Sequence, residues 1–107
     1  MTGQACSTCS EHVEWNQPGT TRLSGVHRGR EAVIGFFLDI AQYGLAVHPL
    51  EFFAEEDRVV AIVDVELAGE RANEVDRFVI RDGLIVAVEH IGDTEMLSRV
   101  VQPAPVS

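Results

Sequence analysis

The sequence predicts an α+β fold, an antiparallel sheet with helices packed on one face and elements in the order β-α-β-β-β-β-α. Three observations predict it. Segments rich in valine and isoleucine crowd the second half of the chain, Arg58–Ala68 most strongly. Tight-turn signals separate them, above all Asp82-Gly83. Before them, Arg30–Tyr43 carries apolar residues at helical spacing.

Each element follows from local chemistry. Residues 1–11 are small and polar and read as a poorly ordered leader. His12–Gln17 reads as a short strand stopped by the Pro18-Gly19 turn. A loop then runs through Thr20, Ser24 and Gly25 to Gly29. In the helix, Val33, Phe36, Phe37 and Ile40 form one stripe, while Ile34, Leu38 and Ala41 load the opposite side and predict cover on more than one flank. Gly44 is placed to end it in a left-handed conformation. Leu45–Ala54 is a strand that Pro49 bends or confines to a sheet edge. Glu55-Glu56-Asp57 turns into Arg58–Ala68, and Gly69–Asn73 turns into Glu74–Ile80. Asp82-Gly83 leads into Leu84–Ile91, and Asp93 caps a closing helix, Thr94–Val101, that Pro103 ends. Residues 12–102 thus make one domain, with 103–107 as a tail.

Composition narrows the partners. A chain of 107 residues holds one core, burying roughly 60–70% of the surface its unfolded form exposes. An apolar content of 46% excludes a disordered chain. Eight basic residues against 17 acidic ones give a net charge of −9, which repels phosphate backbones and anionic lipid. No nucleic-acid or membrane partner is expected. No apolar run approaches the ~18–20 residues that span a bilayer. Met1–Ser10 lacks the basic and apolar regions of a signal peptide, so the cytoplasm is the expected location.

Side chains alternate across a strand, so each strand sorts into two faces. Ala61, Val63, Val65 and Leu67 form a wholly apolar face of Arg58–Ala68. The arrangement that buries least charge gathers Asp64, Glu66, Arg77 and Glu89 on the outer face, where opposite charges pair across strands. The inner face is then apolar except for Asp76 and His90. This register assumes a three-residue Arg81-Asp82-Gly83 loop with a glycine bulge; a two-residue loop sets Glu89 beside Asp76 instead. The outer face keeps Val60, Ile62, Ile85, Ala87 and Ile91, which predicts a homodimer through it.

The string HVEWNQPG…LSGVHRGREAVIGFF, followed by EEDRVVAIVDVELAG, VDRFVIRDGLIVAVEH and GDTEML, resembles the SnoaL-like branch of the nuclear transport factor 2-like superfamily. The resemblance runs from His12 to about Val101. It implies a cone: a curved antiparallel sheet wrapped around helices, with a ligand cavity at its open end. Family members begin with a long helix, and TGQACSTCS is not a helix pattern.

The resemblance also implies candidate chemistry. Asp76 falls where ketosteroid isomerase-like members carry a protonated aspartate that donates to an oxyanion, and an aspartate among Phe78, Ile80 and Val65 is driven towards its neutral form by desolvation. His90 pairs with it for proton transfer, or serves as a satisfied core histidine. The isomerase's general base has no counterpart, since Trp15 and Asn16 stand at its place; Trp15 is read as pocket wall with one N–H donor. Limonene-epoxide-hydrolase-like members hold a water between Asn and Asp, for which Asn16 and Asp93 are the matching positions, although Asp93 also suits a helix cap and Ile62 stands near the expected arginine. Polyketide cyclases of the SnoaL type, with a pocket aspartate as acid and base, are a further comparison. Phe37, Val63, Val65, Phe78 and Val88 complete the expected ligand wall.

A small apolar or aromatic ligand is therefore expected, with Asp76 and His90 in acid–base roles. The alternative is a non-catalytic ligand-binding or dimerising scaffold. No cofactor is expected. Cys6, Cys9 and His12 have metal-compatible spacing but no fourth ligand, and read as incidental thiols; no metal is expected. Arg22, Arg28 and Arg30 read as solvated.

Overall fold

Two-residue turns join the long strands. At Ala68-Gly69 and at Asp82-Gly83 both residues have positive φ, 51° and 84° in the first and 52° and 76° in the second. That is the backbone twist which matches two right-twisted antiparallel strands. The computed structural model describes residues 8–104. They form β1 (Cys9–Gln17), β2 (Gly25–Arg28), α1 (Arg30–Ala41), β3 (Ala46–Glu55), β4 (Arg58–Leu67), β5 (Glu70–Arg81), β6 (Leu84–Ile91) and α2 (Thr94–Val100). The strands make one six-stranded sheet in the order β2-β1-β6-β5-β4-β3. Its pairs are antiparallel except β1 with β6, which run parallel.

The expected α+β class holds, with several local corrections. The strand expected from His12 begins at Cys9, whose side chain is buried, so residues 9–11 belong to the sheet rather than to a leader. Cys6 lies outside the described residues. The loop before the helix contains a short strand, β2, that pairs Glu14 with Arg28 through Gln17 with Gly25. The expected Gly69–Asn73 turn contracts to Ala68-Gly69, which extends β5 back to Glu70. Pro49 sits on the edge strand β3, where the register to β4 shifts between Pro49 and Glu51. At the chain's end Pro103 bridges to Thr21, so this part of the expected tail is tied to the fold.

The β5–β6 connection changes the reason for the register. Arg81 pairs with Leu84, so the loop is Asp82-Gly83 alone and not the expected three residues. A bulge then follows: Ile80 faces Ile85, Val79 faces Ala87, and Val86 is the extra residue. The bulge shifts the ladder by one and brings His90 opposite Asp76. It also turns Ile85, expected on the outer face, inwards against the core.

The core lies between the sheet and the helices. Val13, Val33, Leu67 and Val101 are its largest fully buried side chains among the described residues. The inner row of β4, from Ala61 to Leu67, is buried as its alternation predicts. The helix α1 buries one stripe only, Val33, Phe36 and Ile40. Leu38 on the other flank is 52% exposed, against the expectation of cover on both. Arg22 and Arg30 are exposed, as expected, and each also makes a hydrogen bond: Arg22 donates to the Tyr43 hydroxyl at 2.8 Å and Arg30 to the Cys9 carbonyl at 2.8 Å. Among the described residues, no helix is long and apolar enough to cross a membrane.

Candidate functional site

A cavity of about 300 Å³ opens between the inner sheet face and the two helices. The sequence places its walls simply. Alternation along β4 sends Val63 and Val65 inwards, and helical spacing sends Phe36 and Phe37 of α1 towards them. Trp15 of β1 meets Phe37 edge-on at 4.9 Å between ring centroids and Phe36 at 5.7 Å.

One wall is polar. The inward positions of β5 are Glu74, Asp76 and Phe78, and β6 contributes His90 opposite Asp76. His90 Nδ1 lies 2.5 Å from Asp76 Oδ1, and His90 Nε2 lies 2.7 Å from Glu74 Oε1. One imidazole is thus held between two carboxylates. Glu74 uses its second oxygen, Oε2, to accept the Asp93 backbone N–H at 2.8 Å. Asp93 Oδ1 in turn accepts the Met96 N–H at 2.9 Å, capping α2 as its position predicts. Gly92 lies against the pair: a β-carbon there would stand 2.7 Å from His90 Nε2 and 2.7 Å from Glu74 Cδ.

The electrostatics follow from this geometry. Burial by itself lowers the His90 pKa, but hydrogen bonds and charge from Asp76 and Glu74 outweigh it and raise the value to about 9. The ring is an imidazolium at neutral pH and donates both N–H groups. Trp15 stacks over it, 6.1 Å away and 20° from parallel, presenting an aromatic face to the cation. Among the described residues, Asp76 Oδ2 has no hydrogen-bond partner. Asp76 as a whole is 9% exposed and lines the cavity, so Oδ2 is the acceptor that a ligand can meet.

The expected site residues mostly converge here. Asp76, His90, Trp15 and Phe37 line the cavity. So do Val63, Val65, Phe78, Val88 and Asp93. Asn16 does not: alternation in β1 buries Trp15 and Gln17 and leaves Asn16 exposed on the other face. Trp15 Nε1 donates to Gln17 Oε1 at 3.0 Å, so its N–H is spent inside the wall instead of being offered to a ligand. His90 has both nitrogens engaged, and Asp76 sits beside an imidazolium instead of in a wholly apolar setting. Sequence reasoning missed Glu74 as a site residue, although its two-residue spacing from Asp76 was the available signal. The outer pairings expected for Arg77 and Glu89 form, while Asp64 pairs with Arg71. Among the described residues, no group of three or more histidine, cysteine, aspartate or glutamate side chains is arranged to hold a metal ion.

Solved structures share this architecture. A protein of unknown function with a cystatin-like fold from Xanthomonas campestris is 26% identical, with a TM-score of 0.80 over 89% of this chain and 81% of that one. An NTF2-like protein of unknown function from Burkholderia pseudomallei is 21% identical, with a TM-score of 0.82 over 94% and 85%. TerC, co-crystallised with polyporic acid, is 26% identical, with a TM-score of 0.81 over 92% and 84%. A comparison with curated proteins finds no match. The inner-face cavity, the six-stranded sheet and these neighbours agree with the match of residues 3–88 to the SnoaL-like domain, and the chain belongs to that family.

Proposed function

We propose that the protein binds a small, largely apolar organic molecule in this cavity and that Asp76 serves there as a general base. The observation that carries the reading is the uncommitted Oδ2 of a carboxylate whose other oxygen is held by His90. A ligand that presents an O–H, an N–H or a C–H adjacent to a carbonyl at Oδ2 meets a positioned proton acceptor. His90 and Glu74 are positioning residues: the imidazolium fixes the Asp76 rotamer and keeps its charge tolerable in a buried wall. The aromatic rings supply apolar contact area, and the volume sits at the small end of the range for ligand sites. TerC with its polyporic acid supports an organic ligand for this fold at comparable identity.

The test is a thermal-shift screen against steroids, terpenoid epoxides, polyketide-like aromatics, fatty acids and aromatic amines, followed by solvent-deuterium exchange at carbon in any ligand that stabilises the fold and carries a C–H adjacent to a carbonyl. The expected outcome is a ligand that binds both the parent and Asp76→Asn but exchanges only with the parent. A cooperatively melting protein that responds to none of the five classes overturns the binding reading. Exchange that survives Asp76→Asn overturns the role of the base.

A second reading concerns assembly. β3 leaves Leu50, Phe52 and Phe53 exposed at the sheet edge by 54%, 64% and 57%. Beyond it, Ile91 on the outer face is half exposed. An apolar surface of this kind on an edge strand supports a homodimer.

A further inference from the structure

The charged groups of the cavity do not balance. Its walls contain Glu74, Asp76, His90 and Asp93, and among the described residues no arginine lines it. The chain has no lysine at all; its eight cationic residues are arginines. One imidazolium therefore faces two carboxylates, and Asp93, committed to its helix cap, adds further negative potential at the rim. A buried excess charge is costly unless something neutralises it.

Two sources of neutralisation are chemically available, a proton on one carboxylate or a cation supplied by the ligand. The cavity has a place for the second. Each of the other three carboxylate oxygens in the cluster accepts an N–H: Asp76 Oδ1 and Glu74 Oε1 from His90, and Glu74 Oε2 from Asp93. Asp76 Oδ2 is left without a partner among the described residues, on a side chain that lines the cavity. Trp15, Phe37 and Phe78 line the same cavity, and aromatic π faces attract cations.

We infer that the preferred ligand is an organic cation, an apolar body carrying one protonated amine, with an N–H of the ammonium donated to Asp76 Oδ2 and the body against the aromatic wall. This deepens the binding reading above and rests on it. The same charge arrangement disfavours carboxylates and phosphate esters, which would bring a second negative charge against Asp76 with no arginine to receive it.

The experiment compares three probes of nearly one size, benzylammonium, benzyl alcohol and benzoate, by calorimetry at neutral pH in two buffers of different ionisation heat. Benzylammonium is expected to bind about tenfold or more tighter than benzyl alcohol, with benzoate weakest and no proton taken up with the cation. In Asp76→Asn the advantage of the cation is expected to vanish. The ranking on the parent protein decides the matter even where that variant fails to fold. Benzoate binding as tightly as benzylammonium overturns the inference and leaves the cavity reading intact, as does benzyl alcohol doing so with proton uptake. A folded protein that binds none of the three overturns both.

Discussion

His90 Nε2 lies 2.7 Å from Glu74 Oε1, on the side of the ring opposite to Asp76. Three side chains from two adjacent strands thus share one polar wall, and their interdependence makes the site testable.

Stability depends on the charge of His90. Its folded-state pKa of about 9 lies above the ordinary 6.5, so its contribution is fully present below about pH 6.5 and is lost as pH rises through about 9. The linked free energy is on the order of 3 kcal/mol. Chemical denaturation at pH 6 and pH 10 is expected to show lower stability at the higher pH, and a histidine NMR titration is expected to place one ring well above the rest. A stability that is flat over this window would contradict the ion-paired triad.

Removing the ring is expected to be harsher than removing its charge. His90→Ala leaves Glu74 and Asp76 facing each other in a buried wall, at a cost of about 3–5 kcal/mol near neutral pH. The double variant with Glu74→Gln and Asp76→Asn in the same background should recover much of that loss. Denaturant midpoints of the three proteins provide the comparison, and additive losses would refute the coupling.

Gly92 is required for its lack of a side chain, because a methyl group there meets His90 Nε2 and Glu74 Cδ at 2.7 Å. Gly92→Ala is expected to cost about 1–3 kcal/mol through overpacking. It should also lower the His90 titration by prising the ring from Glu74. A variant with unchanged melting and unchanged titration would mean that the wall yields freely.

The β6 bulge decides which side chain faces Asp76. Deleting Val86 while keeping Asp82-Gly83 should remove the bulge and leave the remaining pairs of the ladder as they are, His90 opposite Asp76 included. The His90 pKa is then expected to stay raised at about 9, in a protein that still melts cooperatively. A titration that falls towards the ordinary value would show that the strand slips its register instead of losing the bulge.

The exposed residues of β3 make a prediction about mass. Light scattering is expected to report a dimer of the 11.7 kDa chain, and Phe52→Glu with Phe53→Glu to shift it to monomer. A parent that is monomeric at micromolar concentration would remove the assembly reading.

Much of this protein was legible in the sequence by itself. Period-two alternation identified the inner row of β4 and placed Asp76 on the cavity side, because a strand's side chains have no other choice once one face is apolar. Helical spacing found the buried stripe of α1, and Asp93 declared itself as a cap. Other features depended on relations between distant segments. Cys9 joins β1, and Gly25–Arg28 becomes β2, because partner strands offer backbone hydrogen bonds that no local propensity encodes. The pairing of His90 with Asp76 was expected, but for the wrong local reason, since a bulge and not a longer loop sets the register. Glu74 shares the alternation that places Asp76 inwards, and the tight Ala68-Gly69 turn runs β5 through it, so that it stands well inside the strand and not at its start. Only the tertiary structure could bring Glu74, Asp76 and His90 around one ring, because hydrogen-bond geometry is fixed to tenths of an ångström and strand register moves side chains by whole residues.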